Sequence, residues 1–472
     1  MKMVKSLLLG GAAGIVALTG AQAADLPVKA APVQYVKICS LYGAGFFYIP
    51  GTDTCLKVGG FVRAEVDVNA GGSFSVNQSG RLPSSATANE EFWRTRAAMT
   101  LDARTQTAYG TLRSYLIMAT TEDNGQTGIV GSATAPGTNG GTGVGNNPGG
   151  SGRAPYTRLW SNAAIIQLAG FTVGKTASFF DFDTQPYSNQ TNFWSSNYGG
   201  SGIDVFAYTA QFGNGWSASL SVEEPAARRM SITSTGSPTV GWQYGNQQVP
   251  DIVGNIRIDQ AWGSAQVMAA YHQVRGVSTV APAVGFEPTE SSKAGWAVGG
   301  GLKWNLPMFG AKDYVLAQAT YSEGVLSYVG QGINGGFNTF NENGTINSFG
   351  PAFDAVVLNG NGDMELTKAL SITAGFEHFW SAQWKTSLYG ATGGLRYSDA
   401  AAAVLRGTAT GPSANWTYSQ IGSRTVWTPV ANLDLSVEVM YNKLNTAFGT
   451  PGDFEDKNWW SGIFRVQRNF YP

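Results

Sequence analysis

The chain has 472 residues, of which 13% are charged, and its formal net charge is −1. It is rich in glycine (62) and in aromatic residues (14 Trp, 19 Tyr and 24 Phe). Ordinary soluble domains carry about 25% charged residues, so this composition argues against a typical soluble domain. A near-neutral balance also excludes a nucleic-acid-binding protein that depends on a basic surface.

The first 23 residues have the pattern of a secretory signal peptide. Lys2 and Lys5 form a positive start, an apolar stretch covers residues 7–18, and Ala21-Gln22-Ala23 provides a small-residue cleavage site. We therefore expect residues 1–23 to be removed and the mature chain to begin at Ala24. The alternative is an uncleaved anchor, which the apolar stretch disfavours because a membrane-spanning helix needs about 20 residues.

Residues 24–54 are predicted to form a periplasmic lead that contains one of the two cysteines. Cys39 and Cys55 are the only cysteines, and in an exported chain a disulfide between them is the default interpretation. Two free thiols are the alternative. Metal binding is less favoured because His272 and His378 are the only histidines, and we predict no metal or other cofactor.

The segment Cys55 to Val68, CLKVGGFVRAEVDV, alternates strictly between apolar and polar positions. A period of two predicts a β-strand with one apolar and one polar face. The polar face carries charges of both signs, and many later segments repeat the pattern. An exported chain of this kind is predicted to be an all-β transmembrane barrel with lipid outside and water inside. In such strands the apolar and polar positions cancel in the mean hydropathy, which is −0.10 here.

Sixteen antiparallel strands are predicted within residues 55–472. They lie near 55–68, 91–105, 109–118, 157–168, 171–177, 203–212, 216–222, 251–260, 264–274, 293–305, 313–322, 369–380, 384–397, 413–428, 432–445 and 458–470. Tight turns alternate with long loops, and an even number of strands with short periplasmic turns and long extracellular loops is typical of outer-membrane barrels. Strands 157–168 and 384–397 alternate poorly, which indicates either a protein neighbour or an error in register.

The third long loop, residues 178–202, reads SFFDFDTQPYSNQTNFWSSNYGGSG. Its aromatic content is unusual for a loop that is surrounded by water. We expect it to fold into the barrel as a constriction loop, with its phenylalanines against the wall and Asp181 and Asp183 facing the channel. An outward surface loop is the alternative.

Arginines are concentrated on the polar faces of the early strands, at Arg63, Arg94, Arg96 and Arg113. Neighbouring strands lie about 4.8 Å apart, so these cations are predicted to form one patch on the inner wall. Opposite the two aspartates of the loop, this patch would create a transverse field across the pore constriction. The alternative for each arginine is a solvated lumen residue or an ion pair with a nearby acid.

Several segments resemble the alphaproteobacterial general porins. They are ADLPVKAAPVQYVKICSLYGAGFFYIPGTDTCLKVGGFVRAE, GKTASFFDF, EHFWSAQWKTSLYG and FRVQRNF. The resemblance implies a homotrimer of sixteen-stranded barrels in the outer-membrane lipid that passes small hydrophilic solutes and ions passively. It also implies a third loop that narrows each pore, and so supports the constriction role of Asp181 and Asp183.

We therefore expect a general diffusion porin without a catalytic residue. A barrel enzyme is disfavoured because no nucleophile and base occur together in a convincing pattern. The competing hypotheses are a substrate-specific porin and a structural or adhesive barrel. Saturable block by one solute would indicate the former, and a pore that stays closed would indicate the latter.

Overall fold

The computed structural model describes the chain in ranges that are separated by gaps. These ranges are residues 37–68, 91–123, 156–189, 194, 202–234, 242–278, 289–330, 339–340, 346–347, 352–359, 361–408, 415–445 and 457–470. The predicted signal peptide and the first part of the predicted lead, up to residue 36, lie outside the described residues, as do parts of the long loops.

The described residues form a closed barrel of sixteen antiparallel strands, which confirms the predicted fold. The strands are β1 (Cys55–Val68), β2 (Glu91–Thr107), β3 (Gly110–Asp123), β4 in two segments (Tyr156–Trp160 and Ala164–Leu168), β5 (Phe171–Thr176), β6 (Ile203–Gly213), β7 (Trp216–Glu223), β8 (Asp251–Gln260), β9 (Gly263–Ser278), β10 (Glu290–Asn305), β11 (Tyr314–Glu323), β12 (Lys368–Phe379), β13 (Trp384–Arg396), β14 (Trp416–Val430), β15 (Leu433–Asn445) and β16 (Lys457–Asn469). Each strand pairs with its neighbour in sequence, and β1 closes the barrel on β16 from Phe61 opposite Asn469 to Val68 opposite Gly462.

The barrel has an inside-out distribution of side chains. On β15, Val437 and Val439 are 54% and 45% exposed on the outer face, whereas Glu438 between them is completely buried. Water-soluble domains show the opposite arrangement, because they bury apolar side chains and expose charges. The alternation therefore places an apolar surface outside and a polar lumen inside.

Short turns connect the strands at one end of the barrel. Asn214 and Gly215 join β6 to β7 with positive φ angles of 49° and 77°. Positive φ at both central residues defines the hairpin turn that Asn-Gly favours, because its twist matches that of the flanking strands. This end is periplasmic if the barrel follows the usual arrangement of outer-membrane proteins.

A disulfide joins Cys39 to Cys55, which confirms the predicted pair. The Cα atoms are 6.0 Å apart, and both cysteines are buried with Phe46. A short strand, Phe47–Tyr48, pairs with the beginning of β1, and a 3₁₀ turn covers Ser40–Tyr42. Residues 37–54 thus form a compact hairpin that is fastened to the first strand.

The opposite end of the barrel carries ordered structure that the sequence pattern did not predict. A helix, α1 (Asp399–Thr408), follows β13. Two 3₁₀ turns cover Ala226–Arg228 and Leu326–Tyr328. A small sheet of three strands also lies here. Its central strand, Phe353–Val357, pairs in parallel with Ser231–Ser234 and antiparallel with Met364–Leu366. Trp242–Tyr244 pairs antiparallel with the end of β9, and Thr339–Phe340 pairs with Ile346–Asn347. These elements lie in the stretches that the sequence pattern indicated only as long polar loops.

An apolar cluster holds α1 against the end of the barrel. Ala401 and Leu405 of α1 pack with Trp194, Leu395 and Trp416. The hydroxyl of the residue before α1 caps the helix, because the backbone N–H of Ala401 donates to Ser398 Oγ at 3.1 Å. Among the described residues, no helix is both long and apolar enough to cross a membrane.

Candidate functional site

Loop residues 178–189 lie inside the barrel and begin against β7 and β8. Glu223 at the end of β7 accepts two hydrogen bonds from the start of the loop, from Ser178 Oγ at 2.6 Å and from the backbone N–H of Phe179 at 2.9 Å. The carbonyl of Phe179 accepts a bond from Asn255 Nδ2 of β8 at 2.6 Å. The root of the loop is therefore fixed to the inner face of the wall.

The middle of the loop is bonded to β11 and β12. Gln318 Oε1 on β11 accepts the backbone N–H groups of Phe182 and Asp183, at 3.2 Å and 2.9 Å. Thr373 on β12 donates to Asp183 Oδ2 at 3.0 Å, and the hydroxyl of Tyr187 donates to the same oxygen. Asp183 is thus bonded both to the wall, through Thr373, and to a later part of the loop, through Tyr187.

The tip of the loop is held by charged side chains of β14, β15 and β16. Arg465 donates to Asn189 twice, to Oδ1 at 3.0 Å and to the backbone carbonyl at 3.1 Å. Glu438 accepts the backbone N–H of Asn189 at 2.5 Å. Arg424 donates to the carbonyl of Pro186 at 2.7 Å. Bonds that involve a charged partner are stronger than neutral ones, so the tip is well anchored.

Glycines in the wall make room for the aromatic rings of the loop. A Cβ atom on each glycine would lie much closer to the facing ring than any real contact allows. The pairs are Gly301 with Phe182 (2.2 Å), Gly375 with Tyr187 (2.4 Å) and Gly393 with Trp194 (2.6 Å). Phe182, Tyr187 and Trp194 are 7%, 0% and 1% exposed. We call these three glycines the wall sockets, because each receives one aromatic ring.

These contacts define the path of the loop. From β5 it follows the inner wall past β7, β8, β10, β11 and β12 to β16, so the described loop residues cover that side of the lumen. None of the contacts above involves β2 or β3. The contacts of the described loop residues thus run along the wall from β7 to β16, and β2 and β3 lie on another part of the wall.

The structure buries Asp181 and Asp183, and this differs from the expectation that they face the channel. Asp181 lies 3.8 Å from Arg228, with both side chains at most 2% exposed. Asp183 is 1% exposed and accepts the hydrogen bonds given above. Both carboxylates therefore support the loop from within. Asp183 accepts backbone and hydroxyl donors and Asp181 lies beside Arg228, and no sequence pattern reveals either arrangement.

Burial and local partners shift the pKa values of these loop groups. Burial raises the pKa of the Asp183 carboxyl above its usual range, although the donors from Tyr187 and Thr373 act in the opposite direction. For Arg228, burial lowers the pKa but the neighbouring carboxylate of Asp181 raises it, and the net pKa is raised. Arg228 is therefore a permanent cation at the base of the loop.

Three of the predicted arginines lie together on β1 and β2. Arg63 and Arg96 are directly opposite each other in the ladder, and Arg94 is opposite Glu65, which it contacts at 3.7 Å. Arg96 donates to Thr121 at 2.9 Å and stacks on the ring of the nearby Trp160. The structure thus brings Arg63, Arg94 and Arg96 together on the inner wall, where Arg63 is half-buried and Arg94 and Arg96 are each 5% exposed.

The structure places Arg113 elsewhere. Arg113 is opposite Arg104 in the ladder between β2 and β3, whereas Arg96 is opposite Thr121. Eight residues of extended strand separate the two positions, about 27 Å. Arg113 instead forms a two-pronged bond with Asp102, at 3.0 Å and 2.9 Å. It belongs to the rim near the hairpin of residues 37–54, and the prediction of one patch that includes Arg113 is not what the structure shows.

Sequence reasoning missed the side chains that hold the tip of the loop. Arg424, Glu438 and Arg465 occupy polar positions of alternating strands, so their inward orientation was predictable, but their role was not. Their role depends on which residue of the loop contacts them. Asn189 and Arg465 are far apart in the sequence, so the sequence alone does not reveal their contact. Among the described residues, no cluster of three metal-ligating side chains occurs.

Comparison with known proteins agrees with this architecture. The model of the family Porin_2, described as Porin subfamily, matches residues 25–463. The chain belongs to this family. It is also similar to Porin Omp2b of Brucella canis, with 32% identity over 276 residues, and to Porin Omp2b of Brucella melitensis, with 31% identity over 280 residues. Each match covers 57% of this chain and 66% of the relative, which is just under two thirds of the relative's length.

A solved structure supports the fold over most of the chain. The outer membrane channel DcaP of Acinetobacter baumannii has 18% sequence identity and a TM-score of 0.57, with 90% of this chain and 99% of that chain covered. At this level of identity the likeness concerns the fold alone. Family and fold together identify this porin-family chain as a β-barrel of the bacterial outer membrane.

Proposed function

We propose that this chain forms a passive, water-filled diffusion channel for small hydrophilic solutes and ions across the outer membrane. One observation carries the proposal: the loop is bonded along the inner wall from β7 to β16, and its tip ends beside Arg63 of β1. A loop in this position narrows the lumen without filling it. Selection then depends on width and charge, and the channel performs no chemical step.

The constriction is proposed to lie between the loop and the wall that carries Arg94 and Arg96, with Arg63 next to the tip of the loop. Asp181 and Asp183 contribute to it indirectly, by fixing the shape of the loop. Arg63 is half-buried and Arg94 and Arg96 are each 5% exposed, so these cations act on the lumen from within the wall, and we infer that their field favours anions. This revises the source of the predicted transverse field.

A bilayer experiment tests both proposals. Purified protein should give steady conductance steps in a planar bilayer, and liposomes that contain it should swell in small sugars more rapidly than in large ones. Replacing Arg94 and Arg96 by Ala should lower the permeability of chloride relative to potassium, measured as the reversal potential in a salt gradient. A wild-type barrel that stays closed would contradict the channel, and unchanged reversal potentials would contradict the arginine role.

A homotrimer is proposed as the functional assembly. β4 is interrupted, and β5 has only six residues, whereas a strand needs about 9–11 residues to cross a bilayer. The outer face here still exposes Leu159, Ile166 and Phe171. A neighbouring copy that covers this short part of the wall would account for both features. Native mass measurement in detergent should give three chains, and a monomer would contradict the proposal.

A further inference from the structure

A recess of about 220 Å³ lies beneath the tip of the loop and is not explained by the channel alone. Its lining combines the loop tip, including Ser188 and Asn189, with inward side chains of β1, β13, β14, β15 and β16. It lies on the side of the loop that faces the short turns. A water molecule takes up about 30 Å³ in the liquid, so the recess has room for an ion of several heavy atoms.

The lining of the recess is strongly basic. Its basic residues are Arg63, Lys385, Arg424 and Arg465, and its single acidic residue is Asp434. Asp434 already accepts a hydrogen bond from Thr428 at 2.6 Å. The face that the recess presents to water therefore carries a clear excess of positive charge.

The acids that balance these bases lie outside the lining. Glu65 bonds to Arg465 at 2.7 Å and its side chain is completely buried. Glu377 bonds to Arg424 at 2.7 Å and to Lys385 at 3.2 Å, and its side chain is 3% exposed. Both carboxylates orient the basic groups and are almost completely shielded from water. Their arrangement holds the bases in place before an anion arrives.

Arg63 differs from the other bases because it has no ion pair among the described residues. Its Nε donates to Gln467 Oε1 at 2.8 Å, and the guanidinium lies 4.9 Å from the ring centroid of Phe61. A guanidinium that stacks on an aromatic ring keeps its outer N–H groups available for an oxyanion, to which it can bond with two parallel hydrogen bonds. Gln467 fixes the orientation of this group at the edge of the recess.

We propose that this recess is a binding site for small oxyanions, carboxylate or phosphate, with Arg63 and Lys385 as the contacting cations. This site rests on the proposed function as a channel, and it names a class of solute that binds while it passes through the pore. Fixed arginine and lysine side chains around a small polar cavity are the groups that recognise carboxylates and phosphates. The loop supplies one side of the site through Ser188 and Asn189, so the site depends on the docked loop.

Calorimetric titration of the detergent-solubilised full barrel tests this site independently of conductance. Potassium phosphate and potassium acetate are titrated separately at constant ionic strength. We expect saturable binding of at least one of them, with one ion per chain, and the anion that binds identifies the source of the oxyanion. Arg63→Gln should raise the Kd at least tenfold, which corresponds to about 1.4 kcal/mol, and Lys385→Gln should also raise it.

Lys303→Gln is the matched control. Lys303 faces the lumen on β10, where it lies over the ring of Tyr314, outside the recess. Its replacement removes the same charge, so the Kd should change less than twofold. Absence of saturable binding of both anions to the wild type, or equal effects of R63Q and K303Q, would overturn the proposal. If R63Q lacks the circular dichroism spectrum of the folded barrel, the Kd of K385Q is compared with the Kd of K303Q instead, and equal effects of these two variants would overturn the proposal. A closed channel that still binds anions would contradict only the proposed function.

Discussion

Adding one methyl group to a wall socket should displace the loop. In Gly301→Ala the new Cβ would lie 2.2 Å from Cδ1 of Phe182, whereas ordinary contacts begin near 3.4 Å, so the ring must move by at least about 1.2 Å. The strand cannot yield easily because both its neighbours are hydrogen-bonded to it. We therefore expect Phe182 to move toward the lumen axis and to weaken the bonds from the loop to Gln318.

The energetic cost can be estimated from these contacts. Over-packing of this kind costs about 1–3 kcal/mol, and each weakened hydrogen bond adds about 1 kcal/mol. The control is Gly300→Ala on the same strand, where the nearest atom to the new Cβ is 3.9 Å away. At a compatible site Gly→Ala stabilises by about 0.4–1 kcal/mol through the unfolded chain. The two variants should therefore differ by about 2 kcal/mol or more.

Thermal unfolding and single-channel conductance measure the two consequences. G301A should unfold at a lower temperature than G300A and should conduct less, because the loop occupies more of the lumen. If G301A matches G300A in both measurements, Phe182 does not rest on Gly301 and the docked position of the loop is incorrect.

Two further predictions concern the ends of the barrel. Asp354, outside the barrel strands, is buried and accepts hydrogen bonds from the backbone of Met230 and Leu326, and burial raises its pKa to about 6. Since the folded state holds this proton more tightly than the unfolded chain, the stabilisation, about 3 kcal/mol, should be complete below about pH 4 and lost as the pH rises through 6. Asp354→Asn should remove that part of the pH dependence of the melting temperature, and an identical pH profile would refute the assignment. At the other end, Cys39→Ser should open the disulfide to Cys55, which spans 16 positions, and reduce the free energy of unfolding by about 3 kcal/mol; an unchanged denaturation midpoint would show that the hairpin does not depend on it.

The strands were predictable because the environment imposes a simple rule on them. Lipid on one side and water on the other require a period of two, and β15 obeys it from Leu433 onward. The interruption of β4 was also visible in the sequence, as a poor alternation of apolar and polar residues over positions 157–168. The helix α1 was missed although DAAAAVLR has high helix propensity, because the argument from alternation treats everything between two strands as loop.

The site was predictable only in outline. The aromatic residues of the loop indicated burial, and Phe180 and Phe182 are buried. The orientation of Asp181 and Asp183 was not predictable, because it depends on Arg228 from another loop and on Thr373 from a distant strand. Contacts between residues far apart in sequence decide which charges face the solute, and a single sequence does not record them.

The many attachments of the loop have a mechanical consequence. A segment that is bonded to β7, β11, β12, β15 and β16 acts as an internal brace. It connects strands across the lumen, whereas the backbone hydrogen bonds of the sheet connect them only around the circumference. Sideways pressure from the surrounding bilayer would then be shared across the cylinder, and its cross-section would keep one shape. Brief excursions of the brace would need several bonds to break together, so current through an open pore should show little flicker.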